Sequence, residues 1–189
     1  MVPSEQAARA RGTQDVTTRT AGDVPSPSSW NRRVPIVLLA AVDFVLASYM
    51  ALYQWRLIDS VWDPVFGSGQ SHLVLDSAVS EAVRRVLLIP DAALGAAAYL
   101  AELVLGLVGS QQRWRQRPRL VVIFGANTLA VAFTGVVLVV LQATVVEAWC
   151  LVCIVTAVLS MTMLVLALPE VGASWRYLRA GSQCSRGDA

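Results

Sequence analysis

Four long apolar segments restrict what this 189-residue chain can fold into. They cover approximately residues 34–54, 89–109, 120–141 and 148–168. Each holds about 20 residues, and a helix of that length at 1.5 Å per residue crosses the roughly 30 Å hydrocarbon core of a bilayer. Because lipid offers no hydrogen-bond partners to an open backbone, such segments cross it as helices. The sequence therefore predicts an all-α membrane protein, a bundle of four transmembrane helices.

The composition points to the same environment. Hydrophobic residues make up 56% of the chain and charged residues 15%, an apolar excess over ordinary soluble domains. All fifteen basic residues are Arg, and the net charge is only +2. These arginines cluster beside the apolar segments, where they would lie at a membrane surface. We therefore expect the lipid bilayer as a partner and no nucleic acid.

The arginines are distributed unevenly over the connections between the segments. Twelve lie in residues 1–33, 110–119 and 169–189, and three lie in the long connection at residues 55–88. The positive-inside rule then places both termini in the cytoplasm and residues 55–88 outside, in a multi-pass protein of the cell membrane. The predicted organisation is a disordered cytoplasmic tail at residues 1–33, a membrane domain at 34–168 and a cytoplasmic tail at 169–189.

The long outer connection carries its own signals. Residues 63–69 have turn chemistry, with Pro and two Gly, and residues 71–87 then place Val79, Val83 and Val86 at helical spacing. We expect an amphipathic half-helix on the outer face between spans one and two, with Ser71 as its N-cap. Within the second span, small residues at 93, 97 and 101 predict close packing against a neighbouring helix.

Two acidic residues, Asp43 and Glu102, fall inside apolar segments. Burying either as a charge costs a few kcal/mol, about 3 on insertion scales, so each must be protonated, paired or next to water. They could relay protons or join helices through hydrogen bonds, and we favour the hydrogen bonds.

The chemistry of the chain is concentrated in a cysteine pair. Cys150 and Cys153 stand at the predicted outer end of the fourth span. A helix N-terminus lowers a thiol pKa, and a Cys-x-x-Cys pair there can cycle between dithiol and disulfide. The alternative is that both are small hydrophobic side chains of the span. No metal site is expected, because tetrahedral zinc needs two further ligands and His72 is the sole histidine.

Several motifs together resemble one known family. They are the sequence Trp-Cys-Leu-Val-Cys-Ile at residues 149–154, Asp-Pro-Val-Phe-Gly-Ser-Gly at 63–69, Val-Leu-Asp-Ser at 74–77, and Ile-Pro-Asp-Ala-Ala-Leu-Gly at 89–95 followed by Tyr99. With four spans and a long outer loop, this pattern resembles the vitamin K epoxide reductase family over approximately residues 34–168.

The resemblance implies a membrane thiol–quinone oxidoreductase. It implies a quinone, ubiquinone or menaquinone, held near the outer face as the acceptor substrate, and a thioredoxin-like extracytoplasmic thiol protein as donor. By resemblance Cys153 would face the quinone and Cys150 would exchange with incoming thiols. Asp91 and Ser77 would contribute to quinone binding.

The sequence departs from the family pattern at two places. The family's loop cysteine pair would fall at about Asp63 and Gln70, and Ala157 replaces a tyrosine that some members carry. A redox-inactive membrane scaffold or assembly subunit, or a structural bundle with an inert cysteine pair, therefore remains an alternative. The intact pair at 150 and 153 favours the oxidoreductase, because bundle stability alone would not require Cys at both positions.

Overall fold

The computed structural model describes residues 29–110 and 112–187, and within these ranges every regular element is a helix. A π-helical segment at Gln142–Val146 follows the sixth α-helix. The α-helices are α1 (Trp30–Gln54), α2 (Ser68–Leu75), α3 (Ala78–Leu87), α4 (Asp91–Leu107), α5 (Arg113–Gln116), α6 (Pro118–Leu141) and α7 (Leu151–Gly187).

Four spans can be recognised, as predicted. α1, α6 and α7 are each long and apolar enough to cross a membrane, and α3 with α4 forms a fourth, bent candidate with an angle of 67° between its two halves. α4 alone has 17 residues. The prediction of an all-α, four-helix membrane bundle is confirmed, and the bend shows where the half-helix joins the second span.

Helices extend past both ends of residues 34–168. Residues 1–28 of the predicted disordered tail lie outside the described residues, whereas α1 already begins at Trp30. At the other end, α7 continues beyond residue 168 to Gly187. Glu170, which lies beyond the predicted boundary, is buried and paired with Arg113 on α5, so a tertiary contact holds this part of the helix.

The outer connection contains two helices where one was predicted. α2 begins at Ser68, directly after Gly67 with φ of +86°. The helical conformation is interrupted between the end of α2 at Leu75 and the start of α3 at Ala78. Ser77 caps α3 by accepting a hydrogen bond from the backbone N–H of Ser80. The expected cap, Ser71, lies inside α2 with its hydroxyl buried against Asp63. Serine spacing alone could not distinguish these two roles.

Close packing of the second span is present, although its face differs in part from the predicted one. A Cβ at Gly106 would lie 2.9 Å from Val37 Cγ2, so α4 and α1 approach each other closely there. Ala93 is buried as expected, but Ala97 is exposed, and Ala96 is buried beside the α1 helix instead. Large exposed side chains such as Leu38 and Val45 on α1 give the bundle an apolar outer surface suited to lipid.

Candidate functional site

The two cysteines meet at the start of α7. Cys150 directly precedes the helix and Cys153 lies in its first turn, with 2.9 Å between their sulfur atoms. Both are free thiols; Cys150 is fully buried and Cys153 is half-buried. The backbone N–H of Cys150 donates to Gln142 Oε1 at 3.0 Å, which ties the pair to the π-helical segment. Because a disulfide needs about 2 Å between sulfurs, the pair can close with a small movement.

An apolar cavity of about 440 Å³ begins beside this pair. Cys153 forms part of its wall, as does Met50, whose sulfur lies 3.6 Å from the Cys153 sulfur. Most of the remaining wall is aliphatic, and the other polar side chains along it are Asp91, Tyr99, Asn127, Thr134 and Thr156. Its volume is in the range of pockets that hold small organic ligands, and its few polar groups could orient a ring bearing oxygen atoms.

Asp63 holds the outer loop against the cysteine pair. Its carboxylate accepts hydrogen bonds from the N–H groups of Val65 and Phe66, the Ser71 hydroxyl and the N–H of Leu151, at 2.7–3.0 Å. Burial by itself raises the pKa of Asp63, but these four hydrogen bonds outweigh it and lower the pKa to about 2. Asp63 is therefore an anion that joins the loop to the first residue of α7.

Most of the chain matches the model of a known protein family. The model of the vitamin K epoxide reductase family matches residues 34–168, which is more than half of the chain. The chain belongs to the vitamin K epoxide reductase family. A search of curated proteins finds no match. Family membership supports an oxidoreductase function in a multi-pass membrane protein.

In this member of the vitamin K epoxide reductase family, three of the four predicted site residues lie together. Asp91 is part of the cavity wall near Cys153, and its Oδ1 accepts hydrogen bonds from Ser80 Oγ, at 2.8 Å, and from Gln54 Nε2. Ser77 is the N-cap of α3 and does not belong to the residues that form the cavity. Asp91 and Cys153 therefore line the same cavity, and Ser77 lies outside the residues that line it.

The positions expected for the family's loop cysteines also lie against the cysteine motif. Asp63 contacts Leu151, as described, and Gln70 Oε1 accepts a longer hydrogen bond of 3.4 Å from the N–H of Trp149. His72 is half-buried, stacks on Tyr53 and accepts a hydrogen bond from the N–H of Val61. At the two positions where the family has its loop cysteines, this member has side chains that form hydrogen bonds with the backbone of the cysteine motif at residues 149–154.

The two acids inside spans contact polar side chains of neighbouring helices. Asp43 on α1 accepts a long hydrogen bond of 3.5 Å from Ser160 on α7, and Glu102 on α4 is bonded to Asn127 and Thr128 on α6. Asn127 is also part of the cavity wall, although it is not among the site residues predicted from the sequence. The signal was present, because an amide inside an apolar span is uncommon and needs partners.

Proposed function

We propose that the protein is a membrane thiol–quinone oxidoreductase that passes electrons from extracytoplasmic thiols through Cys150 and Cys153 to a membrane quinone. One observation supports this above all: Cys153 forms part of the wall of the apolar cavity, and its sulfur lies 2.9 Å from that of Cys150. A redox pair beside an apolar cavity can react with an apolar acceptor. Ubiquinone and menaquinone are the acceptors that we propose.

The reaction balances with the groups named. The reduced pair gives up two electrons and two protons and becomes a disulfide, while the quinone takes both and becomes a hydroquinone. An external dithiol then reduces the Cys150–Cys153 disulfide by thiol–disulfide exchange and is itself oxidised. No further oxidant or reductant is needed.

Quinone-dependent oxidation of the pair tests the proposal directly. Full-length protein with Cys150 and Cys153 reduced should be reoxidised when a quinone is added in detergent, with one equivalent of hydroquinone formed per pair. Cys150→Ser and Cys153→Ser should each abolish this, because neither variant can form the disulfide. Cys184→Ser is the matched control, since it removes the third cysteine of the chain and should leave the reaction unchanged.

Electron input is proposed to occur at Cys150, from a thioredoxin-like protein. Cys150 is buried between α7 and the loop that carries Asp63, so this loop must move before a thiolate can reach the sulfur. Cys153→Ser should then trap a mixed disulfide through Cys150, whereas Cys150→Ser should trap none. Trapping through Cys153 alone would reverse the proposed roles.

We further propose that both termini are cytoplasmic and that the cysteine pair faces the outside of the cell membrane. The twelve-to-three distribution of Arg supports this orientation. A cysteine introduced by Ser68→Cys, at the start of α2, should react with a membrane-impermeant reagent in intact cells. If this cysteine reacts only after the inner face of the membrane is made accessible, the orientation is opposite to the proposed one.

A redox-inactive scaffold remains the second candidate, favoured by one observation. Cys150 is fully buried, and the outer connection at residues 55–88 contains no cysteine to carry electrons to it. A scaffold would show no reoxidation by quinone and no trapped partner, while the protein remained folded. Those results together would replace the oxidoreductase proposal.

A further inference from the structure

The side chain of Asn127 is held in a defined orientation at the cavity wall. It projects from α6, and its Nδ2 donates one hydrogen bond to the backbone carbonyl of Ala98, at 3.1 Å, and another to Glu102 Oε2. The carbonyl of Ala98 can only accept, so the atom facing it must be the amide nitrogen rather than the amide oxygen. Two contacts on α4 therefore fix the amide nitrogen of Asn127 against that helix.

This orientation leaves the amide oxygen of Asn127 available. Both hydrogens of Nδ2 are used, and Oδ1 has no hydrogen-bond partner among the described residues. An acceptor next to an apolar cavity is costly to leave unpaired and is satisfied only by a donor. A ligand that presents a hydroxyl group would supply that donor.

Glu102 makes the arrangement rigid. Its side chain is completely buried on α4, and its Oε1 is hydrogen-bonded to Thr128 Oγ1, which in turn contacts the carbonyl of Phe124 at 2.9 Å. The carboxyl group is thus held between two neighbouring side chains of α6. Rotation of the Asn127 amide would break its bond to Glu102 and place two acceptors, the Asn127 oxygen and the Ala98 carbonyl, against each other.

We infer that Asn127 is a specificity-determining residue, whose Oδ1 accepts a hydrogen bond from a hydroxyl group of the reduced substrate, so that the cavity binds hydroquinone more tightly than quinone. This inference rests on the proposed function. The carbonyl oxygens of a quinone are acceptors and would oppose Oδ1, whereas a hydroquinone offers two O–H donors. Asn127 contacts Ala98, which lies about 10 Å from Asp91 along α4 at 1.5 Å per residue. The polar groups of Asp91 and Asn127 therefore lie at two different depths of the cavity.

The preference has a chemical consequence. Tighter binding of the reduced form makes the bound quinone easier to reduce, and a tenfold difference in affinity raises the two-electron potential by about 30 mV. Asn127 would therefore assist electron transfer from the cysteine pair without touching either sulfur. One neutral hydrogen bond predicts a preference of about fivefold to tenfold.

Equilibrium binding of the two forms of one ligand tests the inference. Menadione and menadiol would be titrated anaerobically into full-length protein carrying Cys153→Ser, which prevents turnover. Menadiol should bind about fivefold to tenfold more tightly in this background. Adding Asn127→Leu should bring the ratio of the two dissociation constants close to one, mainly by weakening menadiol binding.

Companion variants separate this role from a structural one. Asn127→Ser provides a hydroxyl that donates as well as accepts, so it should also bring the ratio towards one even if the Leu variant does not fold. Glu102→Gln can still accept from Asn127 and donate to Thr128, and it should preserve the ratio. Thr134→Val alters the same wall and should change both affinities by similar factors.

The outcomes distinguish the two proposals. If both ligand forms bind with a ratio that neither Asn127 variant changes, the role of Asn127 is wrong and the proposed function stands. If neither form binds to a folded protein, the proposed function is wrong and this inference falls with it. A menadiol preference lost in the Asn127 variants and retained in Glu102→Gln supports both.

Discussion

The two ends of the bundle are closed by opposite charges. At the arginine end, formed by Arg33, Arg113 and Glu170, both guanidinium groups are buried and donate to carbonyl groups at the C-terminal end of α4, among them that of Gly106. Arg113 also pairs with Glu170 on α7. At the cysteine end, formed by residues 61–75 and 148–153, the single carboxylate of Asp63 accepts N–H bonds from the loop and from α7.

Each charge matches the helix terminus that it contacts, since carbonyl ends of helices carry partial negative charge and N-termini partial positive charge. The contacts at the two ends differ in how easily they are lost. Guanidinium groups stay charged at any ordinary pH and bind several elements at once, whereas one carboxylate can be protonated or displaced. The arginine end is therefore expected to anchor the fold and the cysteine end to open, which is where thiol exchange needs access.

The largest effect is expected from breaking the ion pair at the arginine end. Glu170→Ala leaves Arg113 buried without its counter-charge and should lower the free energy of unfolding by about 3–5 kcal/mol. Denaturant or SDS titration in mixed micelles measures this. Glu170→Gln keeps hydrogen-bonding capacity and should cost less. A loss below about 1 kcal/mol for the Ala variant, as for an exposed pair, would show that this end is not the anchor.

A smaller and more local effect is expected at the cysteine end. Asp63→Ala removes the four hydrogen bonds that this carboxylate accepts from the loop and from α7. The loop should open more often, so Cys150 should react at least about tenfold faster with a water-soluble thiol reagent. Asp59→Ala, an exposed acid in the same connection, is the control and should react as the wild type does. Equal rates in both variants would mean that Asp63 does not hold the loop.

Acid should reproduce part of the Asp63 effect in the unaltered protein. The pKa of Asp63 is depressed to about 2 in the fold from an unfolded value near 4, so its contribution is complete above about pH 4 and is lost as the pH falls towards 2. Reaction of Cys150 with dipyridyl disulfide, which modifies thiols in acid, should therefore accelerate severalfold between pH 5 and pH 3. Asp63→Ala should not show this acceleration. If the rate in the wild-type protein does not rise either, the carboxylate of Asp63 is not what holds the loop.

The smallest effect is expected for Gln70. Its contact with the N–H of Trp149 is long, at 3.4 Å, and lies at an exposed position. Gln70→Ala should change the free energy of unfolding by no more than about 0.5 kcal/mol and the reactivity of Cys150 by less than about twofold. A change as large as that of Asp63→Ala would show that the two residues hold the loop as a unit.

The features that could be predicted are those set by neighbouring residues. Two such local patterns are the spans of about 20 apolar residues and the two cysteines three positions apart, about one helix turn. In lipid, an apolar span of this length must be helical, because its backbone groups find no other hydrogen-bond partners. The bundle and the meeting of Cys150 with Cys153 follow from these patterns. The break between α2 and α3 was missed because Ser71 and Ser77 have equal capping potential, and a partner eight residues away, Asp63, engages the first of them.

From its sequence alone, this protein is a helical membrane bundle with a thiol pair at one end of a span, because hydropathy and helical spacing act along contiguous residues. The pairing of Asp63 with Leu151, of Arg113 with Glu170, and of Asn127 with Glu102 depended on how distant helices pack. These partners lie 88, 57 and 25 positions apart in the chain. No local pattern encodes such pairs, since each polar group takes whichever partner the packed bundle brings within reach when water is excluded.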